Sequence, residues 1–458
     1  MADYDLAIVG SGGAAFGAAI EARRRDARVV MIERSTIGGT CVNVGCVPSK
    51  TLLAGAMAYH TAAAHPFAGL PTSTGPVDMA AVIAQKDELV ASMRQHKYVD
   101  LAETYGFDIV EGEARFKDPD TLTVNGHELR ADAYLLTTGA EPTIPALPGL
   151  REAGYLTSTT AMELTVVPER LVVIGGGFVG LELGQLFARL GAQITVIGRI
   201  APRAEPELAS RLRRILTEAG VEVIDARATA VELRGDVRVV HTDRGRSVTG
   251  TAILVATGRH ARVDGLDLSA AGIELDDGGF IAVDDSLRTT NPKVFAGGDV
   301  TGNPQFVYVA ATQARLAANN ALTGAHETVD YTGLPHVVFT DPQLAWAGMT
   351  EAEAVAAGHD CDCRFLGLDN VPRALVDHDT RGGIKLVTDR PTGRVLGVHA
   401  LAAGAGDLIL AGVYAIKFGL TVDDLAATWA PYLTMSEALR LAAQSFTRDV
   451  QQLSCCAA

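Results

Sequence analysis

The chain has 458 residues, 48% of them apolar and 20% charged, with 54 Asp and Glu against 39 Lys and Arg for a formal charge of −15. That length accommodates about three domains with ample core. The acidic balance argues against a nucleic-acid or anionic-membrane partner.

The opening Met1-Ala2-Asp3-Tyr4-Asp5 has no basic stretch, so no signal peptide is expected, and the compartment is read as cytoplasmic and reducing. Paired cysteines there serve catalysis or metal binding sooner than structural bridges. Asp5 to Val9 is a short apolar strand, followed by Gly10-Ser11-Gly12-Gly13-Ala14-Ala15, a helical run from Phe16 to Arg25 and a second strand from Arg28 to Ile32. Glu33 closes that strand 23 residues after Gly10. Such glycines let a pyrophosphate lie against a helix N-terminus, and the acid can bond a pair of ribose hydroxyls.

Next comes Gly38-Gly39-Thr40-Cys41-Val42-Asn43-Val44-Gly45-Cys46-Val47-Pro48-Ser49-Lys50, two cysteines on a glycine-rich turn running into a helix. Pro48 is tolerated in a first helical turn. Cys46 then lies at the positive end of the helix dipole with Lys50 one turn on, and both favour thiolate over thiol. A low-pKa thiolate beside a second cysteine describes a redox dithiol. The alternative of half a zinc site fails, because no second Cys/His pair of matching spacing follows nearby.

The dinucleotide unit recurs. Leu171 to Ile174 is a strand, Gly175-Gly176-Gly177-Phe178-Val179-Gly180 a turn, then a helix runs to Leu190 and a strand from Gln193 to Ile197. The position matching Glu33 is Gly198, followed by Arg199 and, close by, Arg203. An acid there would repel a 2′-phosphate, and its absence beside arginines shapes the second site for NADPH over NADH. Two such sites imply electron flow between a held carrier and an exchanged one.

Leu135-Leu136-Thr137-Thr138-Gly139-Ala140 and Leu254-Val255-Ala256-Thr257-Gly258-Arg259 each end a strand where the chain could change domain. Val294-Phe295-Ala296-Gly297-Gly298-Asp299 ends in an acid placed to hold a polyol hydroxyl of a flavin. The fold expected is α/β: an FAD domain over 1–143 and 263–327, an NADPH domain over 144–262, and an α+β interface domain over 328–458. In that last domain, strands such as His336 to Thr340, Gly383 to Thr388 and Val395 to Ala400 alternate with helices at Glu351 to Ala357 and Asp407 to Phe418. The apolar stretch Leu396 to Ile416, interrupted by His399 and Asp407, reads as strand, loop and core helix and not as a membrane span. Cys361 and Cys363 fall on a strand and are read as incidental. The tail ends in Cys455-Cys456, too close along the backbone to bond each other well, so two soft thiols are presented together to a thiophilic ion.

With the Gly38–Lys50 stretch, the two glycine units and the Ala296–Asp299 turn, the chain resembles the flavoprotein pyridine nucleotide-disulfide oxidoreductases over essentially its whole length. Cys455-Cys456, the stretch Leu368 to Ala374 and Pro431-Tyr432-Leu433-Thr434-Met435-Ser436-Glu437 resemble the members that reduce Hg(II). Disulfide reductases of this family carry His-Pro-x-x-x-x-Glu near the matching place, and its histidine protonates the departing thiolate. Here Tyr432 stands nearby, with an unperturbed pKa near 10, while Glu437 remains.

The resemblance implies flavin contacts at Gly10, Gly12, Ala15, Glu33, Thr40, Lys50, Ala114, Gly139, Asp299 and Val307. It implies NADPH contacts at Gly175, Gly177, Gly180, Arg199, Arg203 and Gly258. Cys41, Cys46, Lys50, Tyr98, Glu182, Tyr432 and Glu437 become the expected catalytic residues, with Cys46 against the flavin, Cys41 outside it and Glu182 paired to Lys50. Cys41, Cys46, Cys455 and Cys456 become the metal ligands. It further implies a homodimer in which one subunit's tail serves the other's site, and a substrate delivered as a thiol complex of Hg(II). Many relatives begin with a metal-binding domain carrying its own Cys-x-x-Cys; here the chain starts at the flavin domain, so delivery from such a domain is not expected. Two rival readings share most of these features: a glutathione- or lipoamide-type disulfide reductase, and a flavin-containing protein that sequesters metal without turnover.

Overall fold

Runs such as Leu6–Val9, apolar at every position, suit only a strand covered on both faces. The computed structural model, which describes residues 2–302 and 304–452, places this run in a sheet of five parallel strands. Their order is Val294–Ala296, Ala131–Leu136, Tyr4–Val9, Val29–Glu33 and Asp108–Glu111. The period of two sorts the side chains. Leu6 and Ile8 pack beneath helices Gly13–Arg23 and Val307–Thr323, where Ala14, Ala18, Ala314 and Ala317 let the two helices lie close together. Ala7 and Val9 face the opposite way, onto Phe116 and Leu122 of a small antiparallel sheet (Ala114–Asp118, Thr121–Val124, His127–Leu129). Full burial of each such Leu, Ile or Phe contributes about 1.5–3 kcal/mol.

The second unit repeats this plan. Glu222–Ile224, Gln193–Ile197, Arg170–Ile174 and Ala252–Val255 form a parallel sheet. Leu171 and Val173 pack with Leu186 and Phe187 of helix Phe178–Arg189, while Val172 and Ile174 pack on Val231, Val240 and Val248 of a second small antiparallel sheet. A two-stranded pairing of Ala140–Pro142 with Arg259–Ala261 holds the outgoing and returning chain together between the two units.

The third region is a five-stranded antiparallel sheet in the order Pro335–Val338, Gln343–Gly348, Val395–Ala402, Gly383–Asp389, Cys361–Gly367. One face, with Ala345, Ile384, Leu386 and Val398, is covered by helices Ala405–Lys417 and Glu437–Gln444. The other, with Leu344, Trp346 and Leu401, joins the same core as Leu52 and Leu53 of helix Cys46–Ala63. The stretch from Leu396 is strand, turn and core helix, and among the described residues no helix is long and apolar enough to cross a membrane.

Lys385 of that sheet is nearly enclosed, its Nζ 2.7 Å from Glu205 Oε1 and 2.8 Å from Glu351 Oε2. Glu205, also buried, leads into helix Pro206–Glu218 of the second unit, so this pair couples two regions. Removing one partner of a buried pair strands the other charge, at a cost of about 3–5 kcal/mol. Lys385→Met is therefore expected to lower the thermal unfolding midpoint by several degrees, and Lys385→Met/Glu205→Gln to recover most of the loss. An unchanged midpoint in the single variant would count against the coupling.

Candidate active site

The two glycine turns superpose in their hydrogen bonding. Gly10 N–H donates to Ile32 O at 2.8 Å and Gly175 N–H to Ile197 O at 2.9 Å, which makes Glu33 and Gly198 structural equivalents. Gly10 (φ +105°) and Gly175 (φ +116°) each lie against the end of the neighbouring strand. A Cβ would sit 2.6 Å from Thr137 O in the first and 2.2 Å from Ala256 O in the second, so only glycine fits. The following helices start with no side-chain cap on Gly12 or Gly177, which leaves their first N–H groups for an anion.

Both turns open into one cleft of about 1180 Å³. Its lining includes Gly10, Gly12, Glu33, Thr40, Cys41, Cys46, Lys50, Ala114, Gly139, Asp299 and Val307. Gly175, Gly177, Glu182, Arg199, Arg203 and Gly258 line it as well. Ala15 and Gly180 do not line it. Ala15 is fully buried beneath its turn, and a Cβ on Gly180 would lie 2.0 Å from Gly175 O; both positions serve close helix–strand packing.

The cleft suits dinucleotides. Glu33 is held in place by Ser11 Oγ at 2.5 Å and by Ser35 N at 2.8 Å and Oγ at 2.9 Å, and it presents its carboxylate at the end of its strand. Asp299 is half-buried in the wall, and that desolvation raises its carboxyl above the usual range against the pull of Arg259, 3.8 Å away. Arg259 Nε and Gln305 Nε2 are buried lining donors with no hydrogen-bond acceptor among the described residues, as expected of groups that face a bound polar ligand. Gly198 has φ +143°, and a Cβ there would stand 3.1 Å from Gly176 N. The turn thus demands glycine for its backbone as well as excluding an acid from the ribose position.

Cys41 is not on the turn expected from its glycine-rich neighbours but inside a short helix, Gly39–Val44; Gly45 breaks it, and Cys46 begins helix Cys46–Ala63. Asn43 fixes this bend by donating to Ile37 O and Gly39 O, both at 2.9 Å, and accepting from Arg94 at 3.0 Å. The thiols are free and unequal. The hydrogen bond from Cys41 and then the charge of Lys50 lower Cys46 to about 7 against partial desolvation, whereas that same bond, desolvation and the Cys46 charge push Cys41 well above the ordinary thiol range. One proton is thus shared asymmetrically, with thiolate at the helix N-terminus.

Lys50 Nζ lies 2.7 Å from Glu182 Oε2 and 4.5 Å from the centre of the Phe339 ring, while Phe339 N–H donates to Glu182 Oε1 at 3.0 Å. Tyr98 occupies a π-helical turn, Gln95–Val99, with its ring edge-on to Phe16 at 4.8 Å. Burial and then the nearby thiolate charges push its hydroxyl up to about 12. Tyr432 is largely exposed and Glu437 is buried at the start of its helix, where it accepts from Leu433 N at 3.3 Å. Neither lines the cleft that holds Cys41 and Cys46. Cys455 and Cys456 lie outside the described residues.

Sequence reasoning missed several lining groups. Arg259 adjoins Gly258 and could have been read from that turn, and Ser11 lies within the first glycine run. Phe339, Gln305 and Asn43 carry no local signal and join the site only through the fold.

Residues 4–314 match the family model described as pyridine nucleotide-disulphide oxidoreductase, and residues 334–443 match the dimerisation domain of the same family. The chain is 51% identical over 466 residues to a mercuric reductase of Streptomyces lividans, covering 99% of this chain and 98% of that one. It is 48% identical over 462 residues to a mercuric reductase of Bacillus cereus, covering 99% of this chain and 73% of the relative. Among solved structures, the HOCl-induced flavoprotein disulfide reductase RclA from Escherichia coli superposes with a TM-score of 0.87 at 30% identity, covering 97% of this chain and 100% of the other.

Two outcomes follow from this geometry. In the reduced protein, the pH profile of Cys46 alkylation is expected to have its midpoint near 7, rising with pH as thiolate forms. Lys50→Met removes a charge that favours the thiolate, so its midpoint should move up toward about 8.5, the ordinary cysteine value; a midpoint that stays put would show Lys50 has no hold on the thiol. Arg199→Ala/Arg203→Ala should raise the Kd for NADPH by about tenfold or more, equivalent to at least ~1.4 kcal/mol, with the Kd for NADH little changed. Parallel losses for both nucleotides would remove the 2′-phosphate assignment.

Proposed function

The chain belongs to the pyridine nucleotide-disulphide oxidoreductases, and on that premise we propose that it reduces Hg(II) to elemental mercury at the expense of NADPH, with FAD as its resident cofactor. The observation that carries the reading is the thiol pair itself. Cys46 thiolate and Cys41 thiol open onto a cleft that joins both dinucleotide turns, and among the described residues lining that cleft there is no histidine. The resemblance to mercuric reductases over 99% of the chain names the metal.

The residues act in a definite order. Glu33, Asp299 and the first glycine turn hold FAD, which when bound carries the electron pair of NADPH to the metal. Arg199, Arg203 and the second turn hold NADPH. Hg(II) arrives as a complex of two thiolates. Cys46, already ionised near neutrality, displaces the first. Cys41 retains its proton until it binds, and then surrenders it to the second departing thiolate, so the exchange is balanced without an outside acid. Lys50, held by Glu182 and Phe339, offsets the negative charge of the bound dithiolate. Tyr98, whose hydroxyl stays protonated, lies near enough to feel the charge of both sulfurs.

The family's dimerisation domain supports a homodimer. We further infer that the tail carrying Cys455 and Cys456 delivers the metal to the other subunit's cleft, with Tyr432 and Glu437 near it. What supports this is that Tyr432 and Glu437 do not line the cleft of their own chain. The cytoplasm is the compartment this reading requires, because free dithiols and NADPH coexist there.

NADPH oxidation with Hg(II) and excess thiol, run beside oxidised glutathione and lipoamide, tests the reading. Hg(II) should be the substrate consumed, and Cys46→Ser or Cys41→Ser should lower its turnover at least about 100-fold, close to 3 kcal/mol of barrier. Brisk turnover of either disulfide with none of Hg(II) would favour a disulfide reductase. Tight binding with no volatile product would favour a sequestering protein.

A further inference from the structure

Cys361 and Cys363 have no role in the reaction above, yet their placement is particular. Strand Cys361–Gly367 forms one edge of the third sheet, and alternate residues of a strand share a face. Arg364 turns to one side, over the Phe446 ring at 5.2 Å. Phe365 turns to the other, beneath Arg211 at 4.1 Å. Cys361 and Cys363 share the Phe365 side, where helix Glu351–Ala356 packs against the strand. The charge of Glu351 reaches both thiols, and Cys361 Sγ stands 3.8 Å from His359 O. Both are free, half-buried thiols, so two sulfurs share one face of the edge strand beside that helix.

We propose that Cys361 and Cys363 form a second metal site, separate from the Cys41–Cys46 pair, which takes a thiophilic two-coordinate cation of the Hg(II) class as a bridged dithiolate. Two residues along a strand span about 6.7 Å. Two metal–thiolate bonds, each about 2.3 Å by the zinc scale, span about 4.6 Å. Side chains leaning toward one another close that difference with no backbone shift. A disulfide fits less well, because those Cα atoms lie at the upper limit of its range and the Cβ vectors run side by side. A four-coordinate ion fits less well too. Among the described residues no group of three or more His, Cys, Asp or Glu is arranged to hold a metal, whereas a linear dithiolate needs only two soft donors.

The surroundings set how the site loads. Burial and the charges of Glu351, Asp360 and Asp389 keep the two thiols protonated at neutral pH, with Lys385 and Arg390 opposing. Loading is therefore an exchange. As each cysteine sulfur bonds to the cation, one bond from the cation to an incoming monothiolate breaks, and the cysteine proton leaves with that monothiolate. Two sulfur–metal bonds form, two break, two monothiols depart, and no electrons move. The identity of the cation rests on the proposed function; the site itself does not.

The test is stoichiometry without turnover. Reduced, FAD-loaded protein without NADPH is given excess Hg(II) in the presence of a competing monothiol such as free cysteine, gel-filtered, and assayed for mercury per subunit. Wild type should retain one equivalent more than Cys361→Ser/Cys363→Ser, and Cys361→Ser alone should lose that whole equivalent. The double variant should keep wild-type NADPH-driven Hg(II) turnover, which certifies its fold. Equal retention in wild type and double variant would overturn the proposal. Should the variants misfold, anomalous diffraction from wild-type crystals grown with Hg(II) decides instead: a peak between the two sulfurs sustains the site, and its absence refutes it. Retention of the extra equivalent by a protein with no Hg(II) turnover would sink the proposed function and leave this site standing.

Discussion

A single carboxylate ties the three regions of the chain together at the reacting thiols. Glu182 belongs to the helix of the second glycine unit. One of its oxygens holds Lys50, on the helix that begins at Cys46, at 2.7 Å; the other accepts from Phe339 N, in the third region, at 3.0 Å. The same helix face continues the grip. Gln185 accepts from Asp341 N at 2.7 Å and donates to Asp341 O at 3.0 Å, and Arg189 pairs with the Asp341 carboxylate. Residues 182, 185 and 189 fall on one stripe of a helix of 3.6 residues per turn. Glu182 is buried, and a buried carboxylate persists only when paired. Lys50 is therefore fixed, and with it the charge that stabilises Cys46.

The unequal thiols follow from that arrangement. Two cysteines in identical settings would share their proton evenly. Here Cys46 receives the helix N-terminus and Lys50, while Cys41, one helical segment earlier, receives burial and the neighbouring negative charge. The break at Gly45 makes the difference: a Cβ there would lie 2.8 Å from Thr40 O, so the backbone folds tightly enough to bring the sulfurs together only with glycine at the joint. Asn43 and Arg94 then tie the bend to the segment that carries Tyr98. Lys50 and Glu182 are thus held from different elements, as Asn43 is by Arg94.

Much of this was legible in the chain because its signals are local. Strand, glycine turn, helix, strand and acid occupy some thirty consecutive residues, and each step has a short-range cause, so both dinucleotide units could be placed to within a few residues. The offset that set Gly198 against Glu33 was recovered in the hydrogen bonds of Ile32 and Ile197. What escaped was long-range. Lys50 and Glu182 are 132 positions apart, and their pairing came from family resemblance alone. Phe339 has no periodicity or spacing to mark it. Ala15 and Gly180, read as cofactor contacts, sit instead at helix–strand packing positions, because a small residue near a phosphate turn and one under a helix look alike in sequence. The π-helical turn at Tyr98 was invisible for a related reason: one extra residue in a helix leaves no pattern of its own.

Among the described residues no histidine lines the cleft, and the reading of the substrate leans on that lining. Cleaving a disulfide releases a thiolate whose departure an imidazole near pKa 6.5 can assist. Among the described residues that line the cleft there is no such group. One imidazole stands behind its wall. His336 is stacked on Trp346 at 4.8 Å, and burial pushes it down to about 4, so it is neutral at physiological pH and has no proton to lend. Tyr98, pushed up to about 12, does not release its own. Of these groups, the one whose proton lies nearest neutrality is the Cys41–Cys46 pair, and ligand exchange at a thiol-bound metal can draw on it. A site built this way favours a substrate whose reduction frees the cysteine sulfurs without breaking a sulfur–sulfur bond.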